Sequence, residues 1–431
     1  MTPPRSPAQQ AREAVEAAWR VEWPRLVAGL TRVAGDIATA EELAQDALVA
    51  ALEQWPRDGI PPNPGGWLML TAKHRAVDRF RRDAAFARKL TLLGHQLLID
   101  ERSTPATDPA TLAVAAATPA IDDDLLRMIF TACHPALTPP ARAALTLRMV
   151  GGLTTTEIAR AYLVPESTVA QRIVRAKRTI AEKRVPYEVP AGPELAARLD
   201  SVLEVIYLIF NEGYAATSGD RWVRDELCED ALRLARILAE LLPAEPEAHG
   251  LAALLELQAS RTVARTDAGG GPVLLDDQDR SRWNGLLIRR GFAALARAHT
   301  LNQQLGRAPG KYDLQAAIAA VHAMAPAPAD TDWRRIAGLY AMLAERFPSP
   351  IVELNRAVAV SMVHGPAAGL ELADRVATPL DGYHLLHAVR GDFLSSLGRG
   401  AEARAEFLRA AELTANDHER KLLLGRADDQ S

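Results

Sequence analysis

Almost nothing in this chain can build a sheet. Apolar residues recur three and four positions apart in segments rich in Ala, Leu and Arg, and runs of alternating Val, Ile and Thr bounded by hairpin turns are nearly absent. A period of 3.6 gathers apolar side chains on one face of a helix, whereas a half-buried strand needs a period of two. The expected fold class is therefore all-α. With 431 residues and one domain per ~100 to 200 residues, several cores are expected. Helices are expected over 8–19, 22–34, 39–55 and 66–87, with the Pro/Gly segment PRDGIPPNPGG breaking the chain before the last of them.

Residues 99–121 are rich in Ala, Thr and Pro and suggest an extended tether; VPYEVPAGPE, with three prolines, suggests a second boundary. The expected organisation is a first helical domain at 1–98, the tether at 99–121, a second domain at 122–187 and a helical extension at 188–431. Asp122, Asp123 and Asp124 precede an apolar run and suit the positive end of a helix dipole. In the extension, two similar segments place Gly365 and Gly398 33 residues apart, a tetratricopeptide-like (TPR-like) period that suggests stacked helical hairpins.

The composition, 48% hydrophobic and 24% charged, is that of an ordinary globular chain. No stretch approaches the ~18 to 20 apolar residues of a membrane span, and MTPPRSPAQQ lacks a signal peptide's apolar core, so a cytoplasmic location without membrane contact is expected. Cys133 and Cys228 stand far apart with no CxxC pattern, which predicts structural thiols.

The net charge of −4 conceals opposed halves: residues 1–190 carry +3 and the remainder −7. The basic excess is local. Residues 67–89 hold seven basic and two acidic side chains, and residues 154–185 hold seven and three. Two separate surfaces for anions are implied.

The second stripe has the more specific grammar. In TTTEIARAYLVPESTVAQRIVRAKR, a Thr-rich start and Glu157 open a short helix whose Ile158, Ala159 and Tyr162 can pack inward. Pro165 and Ser167 are expected to stop that helix and cap the next, whose Val169 and Ile173 share a buried face. This is a helix-turn-helix pattern. Its exposed face would present Thr168, Gln171, Arg172, Arg175 and Arg178 to DNA, with Lys177 on the backbone side. The first stripe, PGGWLMLTAKHRAVDRFRRDAAFARK, has an expected core of Leu68, Leu70, Ala72, Ala76, Val77 and Phe80. Lys73, Arg75, Arg79, Arg82 and Arg88 leave its surface basic, and Trp67 stands at its start, a combination suited to single strands because bases stack on aromatic rings while cations follow phosphates.

The order of these segments, an acidic helix AEELAQDALVAALEQW, the Trp-led basic helix, a linker and a helix-turn-helix, resembles the extracytoplasmic-function (ECF) sigma factors over roughly residues 10–187. The resemblance implies a transcription initiation factor whose partners are bacterial RNA polymerase core and promoter DNA. Glu42, Gln45, Asp46 and Trp55 correspond to polymerase-docking positions. Trp67, Lys73, His74, Arg75, Asp78, Arg79 and Arg82 correspond to the helix facing melted −10 DNA. Ser167, Thr168, Gln171, Arg172, Arg175, Lys177 and Arg178 correspond to the helix facing the duplex −35 element. The chain departs from the family in having Lys73 and His74 where an Arg-Asn pair is frequent, and in lacking a glycine in the turn YLVPES. Its C-terminal half resembles the TPR-like extension of one sigma subgroup, in which the extension takes over control exerted elsewhere by a separate protein through intramolecular or protein contacts.

No HExxH, Walker loop, GxGxxG or Ser/His/Asp pattern is present, the ten histidines fall singly, and neither catalysis, a cofactor nor a metal is expected. His134 beside Cys133 reads as a core pair. Asp276, Asp277, Asp279, Arg280 and Trp283 form a polar loop that is either an exposed cap or a regulatory contact. The alternative function is a ligand-responsive helix-turn-helix regulator, which leaves the first basic helix without a role.

Overall fold

The computed structural model describes residues 7–95, 121–162, 164–215, 218–219, 222–267 and 269–430; the expected tether lies outside the described residues except for its last position. The described residues are helical nearly throughout, with short 3-10 turns and one two-residue parallel pairing of β1 (Ser218–Gly219) with β2 (Ala415–Asn416). Two compact units result: Met1–Arg160 with Val164–Val202, and Leu203–Ser431 with Ala161–Leu163.

In the first unit, α1 (Pro7–Ala34) is a single helix where two were expected, and Pro24 lies inside it. Trp19 and Trp23, one turn apart, stack with ring centroids 3.9 Å apart. Their indole N–H groups donate to the carbonyls of Gly152 at 2.6 Å and Arg148 at 3.2 Å, so distant contacts hold both sides of the expected break. α2 (Ile37–Asp58) starts where Asp36 accepts the Thr39 N–H at 2.8 Å. Its buried stripe of Ala40, Leu43, Ala44, Ala47 and Ala51, ending at Trp55, meets Leu68, Ala72 and Ala76 of α3 (Pro64–His95). The small residues on both faces let the helices approach closely. Gly59, at φ +86°, ends α2 in a conformation that favours glycine.

The unit continues with α4 (Ile121–Ala132), packed on α1, then α5 (Pro139–Met149), α6 (Thr155–Ala161) and α7 (Glu166–Glu182), with α5 against α7. The segment expected to separate domains near residue 188 belongs to this unit. The Tyr187 hydroxyl reaches the carbonyls of Ala28 at 2.8 Å and Asp124 at 2.9 Å. In α8 (Pro193–Tyr214), Arg198 donates to the Phe130 carbonyl at 2.9 Å, and Ser201 accepts from Arg142 while donating to the Cys133 carbonyl at 2.6 Å. The division therefore falls inside α8, near residue 202, and the proline run is a packed connection.

The second unit runs through α9 (Asp225–Leu241), α10 (Pro246–Ala259), α11 (Gly285–Leu305), α12 (Lys311–Met324), α13 (Trp333–Arg346), α14 (Pro350–His364), α15 (Pro366–Arg375), α16 (Ala377–Leu380), α17 (His384–Ser396), α18 (Gly400–Leu413) and α19 (Asp417–Asp428). Nearest neighbours in sequence pack together through much of this series, as in α10 with α11, α14 with α15 and α17 with α18. Its last helices share a core that includes Leu354, Leu386, Phe393, Phe407 and Leu423. Gly365 and Gly398 occupy turns at φ +90° and +72°. Gly250 allows α10 to touch α12, since a Cβ there would lie 2.8 Å from the Asp313 backbone nitrogen.

Both cysteines are buried, and burial pushes the thiols up to about 11 at Cys133 and about 12 at Cys228, so both stay protonated near neutral pH. His134 is not a core residue: it is half-buried in the turn after α4, where its Nδ1 accepts the Ala136 N–H at 3.0 Å.

Candidate nucleic-acid and polymerase interface

Local chemistry fixes the helix-turn-helix. Thr154 and Glu157 form a reciprocal cap on α6: the Glu157 N–H donates to Thr154 Oγ1 at 3.1 Å, and the Thr154 N–H donates to Glu157 Oε2 at 2.7 Å. Ile158 and Ala159 are buried beneath it. Pro165 ends the turn, but no side chain caps α7; Ser167 lies one residue inside the helix, correcting the expected cap. Val169, Ile173, Ala176 and Ile180 form the buried stripe of α7. That spacing leaves Ser167, Gln171, Arg175 and Arg178 exposed, with Thr168 and Arg172 half-buried at the edge.

The first basic helix is built the same way. Leu68, Ala72 and Ala76 bury one face of α3, whereas Leu70, expected in that core, is exposed and Val77 and Phe80 are half-buried; His74, Asp78 and Arg82 are exposed and Trp67, Lys73, Arg75 and Arg79 half-buried. Arg79 pairs with Glu42 at 2.6 Å and Arg75 approaches Asp46 at 3.9 Å. The positions expected to face DNA thus adjoin positions expected to face polymerase. These exposed pairs are worth only ~0 to 1 kcal/mol, little enough for a phosphate to replace a carboxylate.

Across the first unit, α2 meets the helix-turn-helix segment through a buried charge. Glu41, 8% exposed, accepts from Arg148 Nε at 2.9 Å and Nη2 at 2.6 Å, and from Lys177 Nζ. Arg148 Nη1 also donates to the Leu153 carbonyl at 3.2 Å, and its guanidinium lies 5.1 Å from the Trp19 ring centroid and 5.4 Å from that of Trp23. Burial alone would raise the Glu41 carboxyl, but Lys177 and Arg148 outweigh it and hold the group below its ordinary range. Nearby, Asp124 bridges Arg32 at 3.0 Å and Arg127 at 2.6 Å.

Residues 22–86 match the Sigma-70 region 2 family and residues 127–180 match Sigma-70, region 4, while residues 198–299 match a family of unknown function, DUF6596. Over 153 residues the chain is 31% identical to the ECF RNA polymerase sigma factor SigK of Mycobacterium bovis, covering 35% of this chain and 74% of that protein. The chain belongs to the ECF sigma factors. It is 28% identical over 204 residues to the probable ECF RNA polymerase sigma factor SigI of Mycobacterium tuberculosis, covering 44% of this chain and 67% of that one. An uncharacterized protein of Rhizobium meliloti is 43% identical over 398 residues, 92% of this chain and 91% of its own length.

In this alternative sigma factor the region 2 match contains α2 and most of the described face of α3, and the region 4 match contains α5, α6 and most of α7. Two expected contact residues are turned inward. Trp55 is 3% exposed and packs edge-on against Trp67 at 5.5 Å, so it fastens α2 to α3. Lys177 points to Glu41 rather than outward from α7. Glu42, Gln45 and Asp46 remain exposed. The reading of the sequence missed Glu41, Arg148, Trp19 and Trp23. The one local signal was Arg148, a lone cation in the apolar run LTLRMV, which requires a partner when buried.

Proposed function

We propose that this sigma factor docks on RNA polymerase core through Glu42, Gln45 and Asp46, engages melted −10 DNA through Trp67, Lys73, His74, Arg75, Asp78, Arg79 and Arg82, and reads the duplex −35 element through Ser167, Thr168, Gln171, Arg172, Arg175 and Arg178. The observation that carries this reading is the pair of basic helices, each with one apolar face buried and its cationic face outward, on the segments that match regions 2 and 4. The helical C-terminal unit, with its TPR-like period, modulates this activity.

The reading carries a conformational requirement. Promoter elements about 25 base pairs apart are separated by roughly 85 Å of duplex at ~3.4 Å per pair. A compact unit of about 200 residues has a radius of gyration of roughly 16 Å. The α3 and α7 faces therefore have to part on a promoter, and Glu41 then has to release Arg148 and Lys177.

Run-off transcription with bacterial core polymerase tests this, using the full chain and a chain ending at Glu204, which retains Arg198 and Ser201. Core-dependent transcripts support the reading, and the ratio of the two activities gives the sign of C-terminal modulation. A duplex footprint without core and no transcript would favour the ligand-responsive regulator.

A further inference from the structure

The turn after α10 and the loop leading into α11 gather three guanidinium groups in the second unit. Arg265 lies over the Tyr214 ring, 3.6 Å from its centroid, and donates to the Tyr214 carbonyl at 2.9 Å. Arg261 lies 5.9 Å from that ring and 5.7 Å from the Trp283 ring, donating to the Tyr214 hydroxyl at 2.7 Å and Gln258 Oε1 at 2.5 Å. Arg280 lies 5.1 Å from the Trp283 ring and donates to the carbonyls of His322 at 3.0 Å and Ala325 at 2.6 Å, and to Thr331 Oγ1 at 3.1 Å.

Every one of these partners is neutral. Among the described residues, no carboxylate lies within ion-pair distance of Arg261, Arg265 or Arg280. Burial holds Arg265 and Arg280 below the usual guanidinium range with Arg261 adding to it, while Asp276 and Asp330 act on Arg280 in the opposite direction without pairing to it; burial with Arg261 and Arg280 pushes His322 down to about 4. Four buried polar atoms in this one place have no hydrogen-bond partner: Arg265 Nε, Arg280 Nε, Trp283 Nε1 and His322 Nδ1. Guanidinium and indole groups can only donate, so the missing species is an acceptor, and three guanidinium groups hydrogen-bonded to neutral partners alone favour an anionic one. The ring faces of Tyr214 and Trp283 hold the guanidinium groups in place by cation–π contact.

We infer that this arginine and aromatic cluster is a binding site for a small oxyanion ligand, one that presents a carboxylate or phosphate group to Arg261, Arg265 and Arg280. The site would give the C-terminal unit a chemical input, and its test reads binding alone, so failure here is distinct from failure of the promoter-reading proposal.

The experiment is isothermal titration calorimetry of the full chain with inorganic phosphate and, separately, with acetate, ionic strength being fixed with chloride. Saturable binding of at least one anion is expected, weakened about tenfold in Arg261→Gln by loss of one charge-assisted contact. The tighter anion identifies the chemical class. Binding should persist in Arg57→Ala, whose lost cation is exposed on α2. Trp283→Phe, which removes the indole donor and keeps an aromatic ring, should also weaken binding and decides the matter if Arg261→Gln does not fold. No saturable heat with either anion, unchanged binding in folded Arg261→Gln or Trp283→Phe, or equal loss in Arg57→Ala overturns the inference.

Discussion

Glu41 on α2 and Arg148 on α5, 107 residues apart in sequence, form a two-point ion pair in which both side chains are nearly inaccessible to water. Lys177 on α7 completes it. One carboxylate thus joins the region 2 and region 4 segments.

Glu41→Gln should release this contact. Removing one member of a buried pair leaves its partners uncompensated, at a cost of about 3 to 5 kcal/mol, moderated here by the partial exposure of Lys177. Because the folded carboxyl titrates below its ordinary range, its contribution is complete above the unfolded value and disappears as pH falls through the folded one. Thermal unfolding followed against pH should show the wild-type advantage over Glu41→Gln shrinking on acidification. A constant difference would remove Glu41 as the source.

Arg172→Ala should weaken −35 recognition by about 1 to 3 kcal/mol, the range for a specific base contact. Run-off transcription from templates with intact and scrambled −35 elements measures this. The variant should lose most of the difference between the two templates.

Arg82 is exposed on α3 and donates its Nε to the Asp78 carbonyl one turn back, at 3.2 Å. Arg82→Ala in the assembled holoenzyme should lower affinity for a single-stranded −10 oligonucleotide. The slope of log affinity against log salt should fall by about 0.7, the value for one single-strand phosphate contact.

His322 gives a second acid signature, in the other unit. Its folded value of about 4 lies below the ordinary histidine value of about 6.5, so the neutral ring is the one the fold accepts. Its contribution is complete above about 6.5 and lost as pH falls toward the folded value. His322→Phe, which preserves a ring beside Trp333, should flatten that part of the profile of unfolding temperature against pH.

Gly250→Ala should destabilise the second unit by about 1 to 3 kcal/mol, the usual cost of overpacking. The added Cβ meets the backbone of Tyr312 and Asp313, which cannot yield as a flexible side chain would. Chemical denaturation would detect the lowered midpoint.

The sequence made the helix-turn-helix legible because its rules are local. The Thr154 and Glu157 cap lies within one turn, and the stripe from Val169 to Ile180 follows from period alone. The same locality misled at Ser167, where proline was sufficient to set the helix start, and at residues 20–21, where the Trp19 and Trp23 contacts carried α1 across the expected break. The α8 division was hidden because Arg198 and Ser201 find their partners about 68 residues away. The orientation of Lys177 was hidden for the same reason: periodicity places a residue beside a buried face but cannot name a distant carboxylate. The ECF sigma assignment survived these errors because it rested on the order of two basic helices, which does not depend on where either helix begins.

The short pairing of β1 with β2 has a consequence for how the second unit comes apart. A stack of helical pairs that touches only its neighbours can fray from either end, one pair at a time. Here Ser218 is joined to Ala415 and Gly219 to Asn416, and Asn416 is wholly buried. The segment before α19 is fastened to the segment after α8, so loosening the last helix frees the strand that follows α8. Cooperativity that an open array would lack is thereby built into two residues of backbone.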